Sequence, residues 1–152
     1  MENKNPSQVN PDERSPETAK KAGFSFRYTV PVGDINYGGH MGNEKFLLLF
    51  HEARRRFLKS LGFSEQDIGE GAGIIMTEAY VKYISEVFMH DELKVSVVVT
   101  KAGGTRFTIE YLVEKEGQAK PAATGYTVQA AFDYNQRRVV KVPRTFLERT
   151  VS

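Results

Sequence analysis

The stretch DINYGGHMGN, Asp34 to Asn43, runs directly into EKFLLLFHEARRRFLKSLG, Glu44 to Gly62. The second piece reads as a helix over 43–61. Phe46, Phe50, Ala53, Phe57 and Leu61 recur at helical spacing and form one apolar stripe, with Arg55, Arg56 and Lys59 off it. Asn43 is the expected N-cap, and Glu44 places negative charge in the first turn. Gly62 is expected to close the helix. Leu48 and Glu52 share the opposite face, one turn apart, which points to a cover over that face as well. The first piece is less ordinary. It packs one Asp, two Asn, three Gly and one His into ten residues. Turns use Gly and Asn, but they have no need of an acid and an imidazole beside them.

Outward from this core, residues 24–32, FSFRYTVPV, alternate apolar and polar and predict a first strand, with Pro31 near its end. Residues 1–22 carry Pro, Ser, Asn and charge with hardly a large hydrophobe, and are expected to form a flexible arm ahead of one domain over 23–152. After the helix come a Gly-rich connection and four strand candidates at about 74–84, 92–101, 105–115 and 122–133. The GG at 103–104 predicts a tight hairpin. Residues 138–143, RVVKVP, read as a short tail. The order predicts an α+β domain: one strand, one long helix, then an antiparallel meander of four strands. One helix covers one sheet face only, and several strands are apolar on both sides. Association through a sheet edge or the exposed face is therefore expected.

Composition narrows the function classes. The chain of 152 residues carries a net charge of +2 and no Cys. Disulfides and thiolate metal sites are excluded, and His40, His51 and His90 match no familiar metal-ligand spacing. The basic residues are scattered, with no aromatic platform flanked by charge, so nucleic acid is not an expected partner. The longest apolar runs are far shorter than the ~20 residues a bilayer requires, and the N-terminus lacks the apolar run of a secretory signal. A cytoplasmic protein with no membrane partner is expected.

Asp34, Asn36, Gly39, His40, Asn43 and Phe46, followed by Glu52, Ala53 and Arg54, resemble the hotdog-fold acyl-CoA thioesterases, the superfamily that includes 4-hydroxybenzoyl-CoA thioesterase. The resemblance covers about residues 24–145. It implies an antiparallel sheet of about five to six strands wrapped around one central helix. It also implies hydrolysis of an acyl-CoA or related carrier thioester, in a homodimer or homotetramer with sites shared between chains. Coenzyme A would enter as part of the substrate, and no metal or separate cofactor is implied. Three positions depart from the pattern. Asn36 stands where many relatives carry a second Asp, Gly42 where Asn is frequent, and His51 where a Glu often precedes Glu-Ala-Arg.

The chemistry explains the mixture at 34–43. Thioester hydrolysis needs a carboxylate to activate water or attack the carbonyl, and donors aimed at the developing oxyanion. Asp34 is the expected base or nucleophile. The unpaired N–H groups of the helix start are the expected donors. Gly38, Gly39, Met41, Gly42 and Asn43 are the expected substrate-binding positions, the glycines because they let backbone approach the substrate. His40 is assigned to the carbonyl or to holding the loop, and Asn36 to positioning water or loop backbone. Glu52, about two and a half turns along the helix, is a candidate alternative base for a neighbouring subunit. The alternative function is a hotdog module that binds or senses acyl thioesters without cleaving them.

Overall fold

The computed structural model describes residues 23–151. The arm expected at 1–22 lies outside the described residues. Strand β1 spans Phe24–Thr29 and a 3-10 turn spans Val32–Asp34. Helix α1 spans Asn43–Ser60. Then follow β2 (Gly73–Tyr83), β3 (Glu92–Gly103), β4 (Arg106–Lys115), β5 (Ala123–Asp133), the two-residue β6 (Arg138–Val139) and α2 (Arg144–Thr150).

The strands form one antiparallel sheet in the order β1-β3-β4-β5-β2, with β6 added to the end of β5. This corrects the expected four-strand meander. Strands β3, β4 and β5 do follow one another, but β2 pairs with β5, and β1 takes the place beside β3. Alternation gives a strand its face and says nothing of its neighbour. Here residues 84–91 carry the chain from one edge of the sheet towards the other. Helix α1 touches β1 and β2, the two ends of this order, as well as β3 between them. A flat sheet cannot do that, so the sheet curls around the helix.

The helix is pinned at its middle. The Phe50 ring lies parallel to that of Tyr111 on β4, with centroids 4.3 Å apart. Gly125 on β5 makes room for it, because a Cβ there would sit 2.6 Å from Phe50 Cε2 and against the Tyr80 carbonyl of β2. The stripe is broader than expected: Leu49, Arg54 and Leu58 are buried with Phe46, Phe50, Ala53 and Phe57, while Leu61 is half-buried. Arg54 is held by Glu65 at 2.8 Å, so the buried guanidinium meets its countercharge.

The helix ends also refine the expectation. Gly42, in extended conformation, is the N-cap, and Asn43 is the first helical residue, so Asn43 makes no cap. At the other end Leu61 caps the helix and Gly62 follows with φ +83°. Gly62 N–H donates to Lys59 O and Phe63 N–H to Leu58 O, the paired bonds of a Schellman turn. The hairpin after β3 turns on Gly104 and Thr105, with Gly103 already paired to Arg106.

Helix α2 was not expected. Its seven residues are too few to be stable alone. It exists because Phe146 is fully buried, its ring 4.5 Å from that of Phe107 and 5.6 Å from that of Phe63. Strand β2 ends the sheet, and its outer edge carries no strand among the described residues. Ile75, Met76, Tyr80 and Tyr83 are exposed along it.

Candidate active site

The chain leaves β1 at Thr29, and Pro31 starts the tight turn that ends at Asp34. Residues 34–42 then form a small closed loop. Ile35 and Met41 bridge as in a hairpin, and Asn36 N–H donates to His40 O at 2.9 Å. The Asn36 side chain accepts from Gly38 N–H at 2.9 Å, an Asx turn, and Gly39 takes φ +82° where a side chain would be strained. Gly42 N–H donates to Asp34 O at 2.9 Å and closes the loop. Asp34 is thereby tied through its own carbonyl to the residue that starts helix α1.

No side chain caps that start. Its first N–H groups carry the positive end of the helix dipole, and Lys45 N–H turns back to Gly42 O at 3.0 Å. The Glu44 carboxylate folds back over Gly42: a Cβ on Gly42 would lie 2.7 Å from Glu44 Oε1.

Beside the helix start lies a cleft of about 200 Å³. It is lined by His40, Met41, Asn43 and Phe46 on one side and by residues 83–87 on the other. Two bonds hold these sides together. Met41 N–H donates to Val87 O at 2.7 Å, and the Tyr83 hydroxyl donates to Asn43 O at 3.0 Å. The Tyr83 ring meets Phe46 edge-on, with centroids 5.3 Å apart. Met41, Phe46, Tyr83, Ile84 and Val87 make the walls largely apolar, while His40, Asn43, Ser85 and Glu86 supply polar groups.

The expected site residues divide between the cleft and its frame. Asp34 is partly buried, and its carboxylate accepts the Tyr28 hydroxyl. It borders the helix start but does not line the cleft. Burial, and then the contact with the Asp34 carboxylate, push the Tyr28 hydroxyl well above the ordinary tyrosine range, so it stays a donor. His40 lines the cleft, and its Nδ1 lies 3.3 Å from Met41 O. A carbonyl only accepts, so in this contact Nδ1 is the donor. Met41 and Asn43 line the cleft, Gly38 and Gly39 shape the loop, and Gly42 joins it to the helix.

Glu52 stands apart. It accepts from Arg55 at 2.7 Å and 3.1 Å and from Arg56 at 2.8 Å. These two guanidinium groups hold its carboxyl down at about 2. Glu52 does not line the cleft of its own chain. His51 is exposed on the helix and reaches Glu65 at 3.2 Å.

Sequence reasoning missed Tyr28, Tyr83 and residues 84–87. Tyr28 and Tyr83 read as ordinary strand aromatics, and nothing local places 84–87 beside the loop. Only the β2–β3 connection passing Met41 does so.

The comparisons place the chain in a family and a fold. The model of the thioesterase-like superfamily matches residues 30–150, most of the chain. This protein belongs to that superfamily. The chain is 27% identical over 131 residues to an acyl-CoA thioesterase of Haemophilus influenzae, covering 74% of this chain and 96% of that one. It is 24% identical over 120 residues to a 1,4-dihydroxy-2-naphthoyl-CoA hydrolase of Thermosynechococcus vestitus, covering 78% of this chain and 82% of that one. The crystal structure of a 1,4-dihydroxy-2-naphthoyl-CoA thioesterase from Synechocystis superposes with a TM-score of 0.76 at 22% identity, covering 85% of this chain and 96% of that chain. The fold is thus the hotdog fold that the sequence resemblance implied. Among the described residues no helix is long and apolar enough to cross a membrane, and no group of three or more His, Asp or Glu side chains gathers as a metal site.

Proposed function

We propose that this superfamily member hydrolyses an acyl-CoA, or a related carrier thioester, to the free acid and thiol. One observation carries the proposal: Asp34 is fastened to the uncapped start of helix α1, and a cleft with apolar walls lies beside that same start. The acyl part lies against Met41, Phe46, Tyr83 and Val87. The thioester carbonyl points at the helix start, whose N–H groups stabilise the oxyanion.

As general base, Asp34 takes a proton from water as the water oxygen bonds to the carbonyl carbon. The C=O pair moves onto oxygen. Collapse restores C=O and breaks the C–S bond, and the thiolate recovers the proton. As nucleophile, Asp34 bonds to the carbonyl carbon itself, the thiolate leaves, and water cleaves the resulting anhydride. In both routes Asn36 and His40 keep the loop in shape. Glu52, clamped by two arginines, is a poor base in this reading. A metal or a second cofactor has no step in either route.

The working unit is at least a homodimer joined at the β2 edge. That edge is unpaired among the described residues, carries exposed apolar side chains, and ends at Tyr83 in the cleft wall.

The alternative reading, a module that binds acyl thioesters without cleaving them, has one observation in its favour. The Asp34 carboxylate is engaged by Tyr28 and does not line the cleft. A thiol-release assay over a panel of acyl-CoAs separates the two. Hydrolysis predicts thiol release that Asp34→Asn abolishes with acyl-CoA affinity nearly kept. Binding without release over hours supports the module.

A further inference from the structure

We infer that Tyr28 is the positioning residue for Asp34, holding its carboxylate in one orientation. The inference rests on the proposed hydrolase reading and extends it to a residue outside the loop.

The geometry is a two-point hold. The tight turn after Pro31 folds the chain back, so that Asp34 faces a strand residue six positions earlier. The Asp34 main chain is fixed by its N–H to Pro31 O at 3.1 Å and by its C=O to Gly42 N–H at 2.9 Å. Its side chain is fixed by the Tyr28 hydroxyl on Oδ2. Tyr28 is itself anchored: it sits in β1 opposite Leu93 of β3, with its ring partly buried against the core. A rigid strand thus orients a loop carboxylate, as a precise site requires.

The chemistry follows from donor and acceptor types. A neutral hydroxyl donating to one carboxylate oxygen leaves the other as the acceptor or nucleophile. The catalytic carboxylate must be ionised to take a proton or to attack. The same bond leaves Oδ1 for water or the thioester carbonyl. A Tyr28 that cannot ionise near neutrality never turns into a like charge beside Asp34.

Two measurements on the full chain test this. In the first, kcat and KM of wild type and Tyr28→Phe are measured with an acyl-CoA that the wild type cleaves. Phe keeps the ring and removes only the hydroxyl. The expected result is a kcat loss of about ten- to a hundredfold, the size of a hydrogen bond to a charged group. KM stays within about twofold, since the cleft walls are untouched. A Tyr28 that merely fills space lowers the melting temperature and leaves kcat in place, and that result overturns the inference. In the second, the NMR shift of the Tyr28 ring carbon that bears the hydroxyl is compared at neutral pH in wild type and in Asp34→Asn. Loss of the carboxylate acceptor is expected to move that shift. An unchanged shift overturns the inference even where hydrolysis is found. If the wild type releases no thiol from any acyl-CoA, the hydrolase reading fails and the catalytic meaning of this contact with it. The NMR shift still reads the contact itself, so the two failures are told apart.

Discussion

The two ends of helix α1 are built on opposite principles. The C-terminal end is closed. A left-handed Gly62 lets two backbone bonds turn back on the last carbonyls. Arg149 of α2 donates to Leu61 O at 2.8 Å and lies over the Phe63 ring, 4.8 Å from its centroid. The N-terminal end is open. Gly42 offers no side chain to cap it, and a cleft adjoins it. A Gly at the N-cap gives up only about a few tenths of a kcal/mol relative to a capping side chain. In the function proposed above, the open end of the helix serves chemistry and the closed end serves the fold.

The comparison breaks most readily at Asp34. Asp34→Asn is expected to lower kcat by about 10²–10⁴, the range for loss of a general acid–base group. Its circular dichroism and melting temperature should stay close to wild type. Normal turnover in this variant would remove the open end from the chemistry altogether.

Gly125 tests the pin between the two ends. Gly125→Ala puts a methyl group against Phe50 and the Tyr80 carbonyl. Overpacking of this kind costs about 1–3 kcal/mol, and contact with backbone on the neighbouring strand places this case at the upper end. Urea unfolding reads the loss; an unchanged midpoint would mean that Phe50 does not hold the helix to the sheet.

Matched glycine substitutions sharpen the contrast. Gly62→Ala forces a side chain into the left-handed region and is expected to cost about 1–2 kcal/mol of stability, with kcat unaffected. Gly42 is in an ordinary extended conformation, and the atoms a methyl would meet are the mobile end of Glu44. Gly42→Ala is therefore expected to change stability by less than about 1 kcal/mol while raising KM or lowering kcat severalfold. The reverse pattern, activity lost at 62 and stability at 42, would invert the assignment of the two ends.

The smallest effect is expected at Glu52, midway along the helix. Its carboxyl is lowered to about 2 by hydrogen bonds from Arg55 and Arg56. A depressed folded-state value contributes stability that is present above the unfolded value near 4.5 and is lost as pH falls towards 2. The group is partly exposed, so the contribution is at most about 1 kcal/mol. Glu52→Gln should lower the melting temperature slightly at neutral pH and not at pH 2, less so in high salt. A large kcat loss in this variant would restore Glu52 as a base.

The legible parts of this chain were those written in local pattern. The helix over 43–61 and its stripe follow from the spacing of Phe46, Phe50, Ala53 and Phe57, and the strands from alternation. Asp34, the glycines and His40 stood out because their mixture exceeds the needs of a turn. Asn36 and Gly39 show how the same residues are also plain loop formers: one makes an Asx turn, the other supplies a positive φ. Sequence pattern cannot divide the two uses, since both draw on the same backbone freedom. Helix α2 escaped because a seven-residue segment has no helical tendency strong enough to show, and Phe146 decides it only once Phe63 and Phe107 surround it.

By itself, then, the chain's sequence determined that one amphipathic helix packs on an antiparallel sheet, and that a Gly-rich loop bearing an acid and an imidazole precedes that helix. Periodicity and backbone freedom are properties of neighbours along the chain, so they can be read there. Only the tertiary structure decided that β2 pairs with β5, that residues 83–87 wall the cleft, and that the Tyr28 hydroxyl holds Asp34. Those facts depend on which distant segments meet when apolar surface is buried, and burial recognises area and shape without regard to sequence separation.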